Sequence, residues 1–259
     1  MKFIDTHAHL YDAKYKNNLA EIIATCQATG IEKIYLPNID SSTIEPMIAL
    51  EKSAPLLFKS MLGLHPCSVG KNYQQVLAKI AEWLPKHNFV AIGEVGIDKH
   101  WDQTYVNTQL KVLETCIGWA ATYNLPLSLH TRSAIDMTIE RLQAHGEKNL
   151  KGVFHCFNGT ITQMEKIMAL GFYVGIGGLV TFGGNALAKM VQATPLQKMV
   201  LETDSPYLAP HPHRGKTNSP HYLTHIAQKI AEIKGISLHR VAEVTTENAQ
   251  QLFESNRKK

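Results

Sequence analysis

The chain has 259 residues, 44% of them hydrophobic and 19% charged, with a formal net charge of +4; this suffices for one (β/α)8 barrel of about 250 residues and excludes a disordered polypeptide. No apolar run approaches the roughly 18 residues of a membrane span, the opening MKFIDTH is too quickly polar for a signal peptide, and Cys26, Cys67, Cys116 and Cys156 form no close-spaced pair, which points to reduced thiols in an unprocessed cytoplasmic protein. The mild basicity is compatible with a phosphate-bearing substrate without demanding one.

Eight short β-rich runs recur: KFIDTH (2–7), KIYLPN (33–38), FKSMLGLH (58–65), FVAIGEVG (89–96), LPLSLHTR (125–132), KGVFHCFN (151–158), FYVGIGG (172–178) and KMVLETDS (198–205). Helical spacing lies between them. Val106, Leu110, Leu113 and Ile117 step by 4, 3 and 4 and put one apolar stripe on a helix. Leu223, Ile226, Ile230 and Ile233 do the same, with Ser219-Pro220 ahead of them reading as an N-cap followed by Pro at the first helical position. Gly30, Gly146, Gly171 and Gly235 sit where helices should stop. Strands alternating with helices argue for a parallel sheet, and at this length for a single (β/α)8 (TIM) barrel spanning 1–259, with an open doubly wound sheet as the alternative. A dinucleotide fold would want GxGxxG after the first strand, where THAHLYD stands.

Ionisable residues gather where these runs end. His7 and His9 close the first, His65 the third, His130 the fifth, His155 the sixth and Asp204 the eighth, while Glu94 lies near the end of the fourth. In a barrel those ends converge on one mouth, and the two-residue strand period turns His7 and His9 the same way. Taken singly, each has a plain structural reading: a hydrogen-bonded histidine, an Asp forming a turn before Ser-Pro, a Glu in an ion pair. Taken together, four histidines and two carboxylates make a shell for two divalent ions, imidazole favouring zinc, manganese or iron and carboxylate permitting magnesium. His65 is then a phosphate or leaving-group contact, or a turn-side histidine. Arg132, two residues past His130, can fork a phosphate or brace the rim. Glu202, two before Asp204, can meet a bound water or pair with a base. The segment 205–219, SPYLAPHPHRGKTNS, is long for a compact-domain connection; His213, Arg214 and Lys216 make it a phosphate contact or a rigid basic cover. Tyr11, Trp101, Phe157 and Tyr207 follow strands one, four, six and eight, where aromatics stack bases for ~1–3 kcal/mol each or simply pack.

The combination of HxH, GLHP, GExGxD, LHTR, HCFNG and LETDSPYLAPHPHRGK, with ENAQQLF near the end, resembles the TatD family of metal-dependent deoxyribonucleases, in the amidohydrolase superfamily, from Phe3 to about Phe253. The resemblance implies a TIM barrel with two divalent ions (Mg2+, Mn2+ or Zn2+) at its mouth. His7, His9 and Asp204 would hold the first, His130 and His155 the second, and Glu94 would bridge them. Catalysis would fall to Asp204, Glu94 and His65, and substrate contact to His65, Arg132, Glu202, Tyr207 and Arg214. A histidine-rich shell is expected to keep Asp204 ionised, ready to take a proton from the attacking water. The implied substrate is DNA, as single strands or duplex ends, cut by 3′–5′ exonuclease action. No dimer seam is legible, so a monomer is expected. Many members continue GLD with tyrosine and a basic residue, whereas this chain reads GIDKHWDQ, which predicts a different substrate surface beside strand four. Two other readings stay open: hydrolysis of another ester or amide on the same barrel (a lactone, a phosphotriester, an aminoacyl-tRNA ester), and a nucleic-acid-binding barrel without catalysis. Relatives in the first group often bridge their metals with a carbamylated lysine, where GEVG offers glutamate; the second would be marked by lost ligands, and all six are present.

Overall fold

A computed structural model describes residues 1–147 and 149–255. Among these, eight strands each overlap one of the eight runs: β1 (Phe3–Asp5), β2 (Ile31–Leu36), β3 (Phe58–Ser60), β4 (Ile92–Gly96), β5 (Leu127–His130), β6 (Gly152–Phe154), β7 (Tyr173–Ile176) and β8 (Met199–Leu201). The helices are α1 (Leu19–Ala28), α2 (Ile44–Ser53), α3 (Tyr73–Ala81), α4 (Val106–Tyr123), α5 (Ile135–His145), α6 (Ile161–Ala169), α7 (Asn185–Ala193), α8 (Leu223–Lys234) and α9 (Leu238–Glu254). None of them is long and apolar enough to cross a membrane.

The strands pair in parallel and in chain order, as ladders β1-β2-β3 and β4-β5-β6-β7-β8. Backbone hydrogen bonds join the two ladders at both seams. Leu62 N–H donates to Ala91 O (3.1 Å) and Gly93 N–H to Leu62 O (2.9 Å) between the third and fourth strands. Thr6 N–H donates to Leu201 O (2.9 Å), Asp204 N–H to His7 O (2.9 Å) and His9 N–H to Ser205 O (2.7 Å) between the last and the first. A doubly wound sheet reverses its strand order and leaves two free edges. Sequential order with the first strand bonded to the last is the TIM barrel.

Alternation along the strands sorts the apolar residues into two sets. Phe3, Ile34, Phe58, Leu129, Phe154, Val174 and Leu201 pack outward in the main core, shared with the helices. Ile4, Tyr35, Met61, Val153, Tyr173 and Val200 form a second cluster with Ala249, Leu252 and Phe253 of α9. That helix therefore seals the N-terminal end of the barrel. It is latched there by Asn248 Nδ2 donating to Leu196 O (2.8 Å) and Met199 O (2.7 Å), and by Lys33 and Tyr35 both donating to Glu254 Oε1, at 2.6 and 2.8 Å. Each fully buried Leu or Phe in such a plug contributes roughly 1.5–3 kcal/mol. Among the described residues α9 thus covers the N-terminal end of the barrel with an apolar plug, and the ionisable cluster lies at the C-terminal ends of the strands.

The glycines expected to end helices all have positive φ: Gly30 after α1, Gly146 after α5, Gly171 after α6 and Gly235 after α8. Ser219 stands at the N-cap position with Pro220 first after it, as expected, but of a 3-10 turn, Pro220–Tyr222, that leads into α8, and its hydroxyl pairs with His221 Nδ1 (2.9 Å) rather than with a helical N–H. Proline fixes the chain direction, and the next histidine competes for the hydroxyl.

Candidate metal centre

Glu94, on β4, is the hub of the barrel mouth, its side chain only 2% exposed. Oε2 lies 3.0 Å from His7 Nε2 and 3.5 Å from His9 Nε2. Oε1 lies 2.8 Å from His130 Nδ1, 2.8 Å from His155 Nε2 and 3.3 Å from His65 Nε2. Asp204 Oδ1 joins the first group, 3.8 Å from His7 Nε2 and 3.7 Å from His9 Nε2. All seven side chains sit at or just beyond the ends of β1, β3, β4, β5, β6 and β8, where the sequence pattern places them.

The donor set fits divalent ions. Ligands about 2.1 Å from a tetrahedral ion stand about 3.4 Å apart, and the donor separations around Glu94 Oε2 and Asp204 bracket that value. Ligating imidazoles have their other nitrogen held by a second group, which fixes the tautomer, and the same arrangement recurs here. Tyr11 OH donates to Pro37 O (2.5 Å), so it must accept from His9 Nδ1 (2.9 Å), leaving His9 Nε2 a lone pair for the centre. His130 Nε2 donates to Asp98 Oδ2 (2.9 Å), His155 Nδ1 faces Glu202 Oε1 (3.6 Å), and His7 Nδ1 meets Ser128 Oγ (3.4 Å). His65 differs. Its Nδ1 accepts from Cys67 N–H (3.0 Å), so Nε2 carries the hydrogen and His65 offers the centre a donor instead of a ligand.

The protein's own charges split this cluster. Burial holds His7 down to about 4 and His9 to about 3, reinforced by the positive charge of His155 on the first and of His7 on the second. Burial acts on His155 too, but Glu94 and Glu202 overcome it and hold the imidazole well above its usual range. Glu94, despite burial, is held well below the carboxylate range by His65, His155 and His7. Asp204 goes the other way: burial pushes it up to about 7, Glu94 and Glu202 add to this, and His155 and His65 offset only part. The expectation that surrounding histidines keep Asp204 ionised is corrected, because its nearest imidazoles, His7 and His9, are neutral at pH 7.

Two backbone features hold this arrangement. Asp204 (φ 56°) and Cys156 (φ 47°) adopt left-handed conformations uncommon outside glycine; the Cys156 N–H is thereby turned onto Glu202 Oε1. Gly175 faces the Glu202 carboxylate so closely that a Cβ there would collide with it.

A cavity of about 740 Å³ opens over the centre, lined among others by Trp101, Arg132, Tyr207 and Leu208. The Arg132 guanidinium lies 5.2 Å from the centroid of the Trp101 ring, which is 68% exposed. Across the mouth, half-exposed Tyr207 stands edge-on to His9. Other expected contacts lie elsewhere. Glu202 is fully buried behind His155 and cannot reach a substrate. Arg214 packs its guanidinium 4.5 Å over the Phe182 ring and does not line the cavity. Phe157 is buried in the main core, and Tyr11 is committed to His9.

Asp98 is a positioning residue that sequence reasoning missed, and Tyr11, expected there to stack or pack, is another. The two-residue step from His9 to Tyr11 was a usable signal. Asp98 closes the GEVGID motif, but its partner His130 lies 32 residues away, and only the fold joins them. Asp98 Oδ1 also accepts from His100 N–H (2.8 Å) and Trp101 N–H (3.1 Å), so one carboxylate holds both a candidate ligand and the neighbouring loop. Asp98→Ala is expected to weaken divalent-metal binding 10- to 100-fold, measured by isothermal titration; unchanged affinity would show that His130 needs no such support.

A family model described as "TatD related DNase" matches residues 4–254. The chain belongs to the TatD family. It is 35% identical to the uncharacterized metal-dependent hydrolase YabD of Bacillus subtilis, over 97% of this chain and 99% of that one. It is 30% identical to the uncharacterized metal-dependent hydrolase BU355 of Buchnera aphidicola, over 98% and 99%. Among solved structures, YjjV, a TatD homologue from Escherichia coli, superposes with a TM-score of 0.91 at 26% identity, over 97% of each chain. With the histidine and carboxylate groups converging at the mouth, this TatD chain is a metal-dependent hydrolase.

Proposed function

We propose that this hydrolase is a deoxyribonuclease acting on phosphodiester bonds, with single-stranded DNA favoured and two divalent ions (Mg2+, Mn2+ or Zn2+) at the centre. His7, His9 and Asp204 would hold one ion and His130 and His155 the other, with Glu94 available to both. The observation that carries the reading is the division of the Glu94 carboxylate, Oε2 toward His7 and His9 and Oε1 toward His130 and His155. Paired divalent ions supply Lewis acidity, lowering the pKa of water from about 15.7 to about 7 and offsetting charge on a phosphoryl group.

The chain's own residues do the rest. Asp204, whose carboxylate the bound cations keep ionised, accepts the proton of the attacking water and orients it. His65 Nε2–H, turned toward the centre while Nδ1 accepts from Cys67 N–H, donates to a phosphoryl or leaving oxygen. Arg132 supplies a fixed positive charge that bidentate phosphate recognition uses. Trp101 and Tyr207, exposed on opposite rims, suit stacking of unpaired bases. Glu202 acts through His155 and Asp98 through His130. The centre lies deep in the cavity, which favours a single strand or a frayed end over an intact duplex.

The test is hydrolysis of end-labelled single- and double-stranded DNA after chelation, then with Mg2+, Mn2+ or Zn2+ restored, beside a His7→Ala/His9→Ala double variant. The expected result is metal-restored cleavage of the single strand, shortening from the 3′ end and absent in the double variant. Failure to cleave with any metal would sink the reading in favour of a non-phosphodiester ester or amide.

A further inference from the structure

A second groove, of about 620 Å³, opens beside the metal cavity and shares Arg132 and Asn158 with it. Lys99 stands on one side, and the half-buried apolar surface of Ile135 and Met137, in the first turn of α5, on the other. Among the described residues neither Lys99 nor Arg132 forms an ion pair. Asp136, the carboxylate lining the groove among the described residues, is already engaged: Gln163 Nε2 donates to it (2.6 Å) and Lys166 Nζ lies 3.5 Å away. The walls are fixed relative to one another. Lys99 N–H donates to Arg132 O (3.0 Å), and Asp98 tethers the two residues that follow Lys99.

We propose that this groove is a second nucleotide subsite for single-stranded DNA, taking the part of the strand next to the scissile phosphate; this rests on the nuclease reading above. Arg132, at the junction, spans both cavities. Lys99 meets the next phosphate, Asn158 offers an amide at the passage, and Ile135 and Met137 give a base or sugar an apolar seat. A fixed wall carrying unpaired cations binds a polyanion without first ordering its own side chains and loops. The groove makes the enzyme sensitive to strand length: a dinucleotide fills the metal cavity alone, and a longer strand gains the additional contacts.

The test uses fluorescein-labelled oligothymidylates of two, four and six nucleotides, their binding to the chelated full-length protein followed by fluorescence anisotropy across a salt series. Wild-type affinity is expected to rise with length. Lys99→Ala is expected to lose roughly fourfold for the hexanucleotide, with the salt slope shallower by about 0.7, and nothing for the dinucleotide; Lys99→Glu is expected to lose more. With metal restored, KM for the hexanucleotide is expected to rise by the same factor at unchanged kcat. Equal hexanucleotide affinity, salt slope and KM in wild type and both variants, with cleavage intact, would overturn the subsite and leave the nuclease reading standing. Wild-type protein that neither binds nor cleaves any of the three overturns both.

Discussion

Glu94→Gln is expected to lose about half of the bound metal and to cut turnover by roughly 10³-fold or more, about 4 kcal/mol of barrier. The substitution keeps size and shape, so the barrel should form. What changes is one end of a side chain whose two oxygens face different groups, His7 and His9 on one side and His130 and His155 on the other. An amide presents oxygen to one group and an N–H2 donor to the other, and a donor cannot ligate. Whichever way it flips, one histidine group loses its shared ligand. The amide also removes the buried negative charge that offsets a pair of cations. Metal per chain by elemental analysis, circular dichroism and turnover on a labelled single strand measure the three parts separately. A variant with full metal content and full turnover would show that Glu94 is not shared, and the two-ion centre would have to be abandoned.

Much of this arrangement is legible in the chain because a TIM barrel converts sequence position into spatial position. A residue that ends a strand reaches the mouth whatever the loops do, so His7, His9, Glu94, His130, His155 and Asp204 could be grouped without knowing their distances. Contacts across strands had no such rule. Asp98 holds His130 across the adjacent strands β4 and β5, and Glu202, just past β8, lies behind His155, just past β6, because the barrel sets their heights; nothing local records this. The path of a long loop is equally hidden. Asn218 pins the segment after β8 by donating to Thr203 O (2.7 Å) and Tyr207 O (2.6 Å), and Arg214 is carried onto Phe182 instead of the cavity. Charge was the least legible property. Counting histidines around Asp204 suggests a cationic shell, but whether each imidazole carries a proton depends on how deeply it is buried, and at His7 and His9 burial prevails.

That distinction sets the choice of variant for the proton acceptor. Asp204 has φ 56°, a conformation that Asp and Asn tolerate better than residues with other side chains. Asp204→Ala would therefore combine loss of the carboxylate with backbone strain, whereas Asp204→Asn isolates the chemistry. The amide keeps one oxygen near His7 and His9 but cannot take a proton at neutral pH. Removing a positioned general base costs typically 10²–10⁴ in rate, and kcat is expected to fall within that range while affinity for an uncut strand changes little. The pH profile gives an independent readout. A carboxyl pushed to about 7 by burial imposes an acid limb, with activity rising as the pH climbs through its pKa. Bound cations stabilise the carboxylate and move that limb below pH 7. In Asp204→Asn the limb should vanish and the residual rate should lose its dependence on that group. If the variant keeps wild-type kcat and the same acid limb, the proton goes elsewhere and Asp204 is a ligand alone. If kcat falls and the limb remains, the group titrating on the acid side is one of the imidazoles that must stay unprotonated to serve the centre, with His9, whose Nε2 keeps a lone pair there, the first to examine.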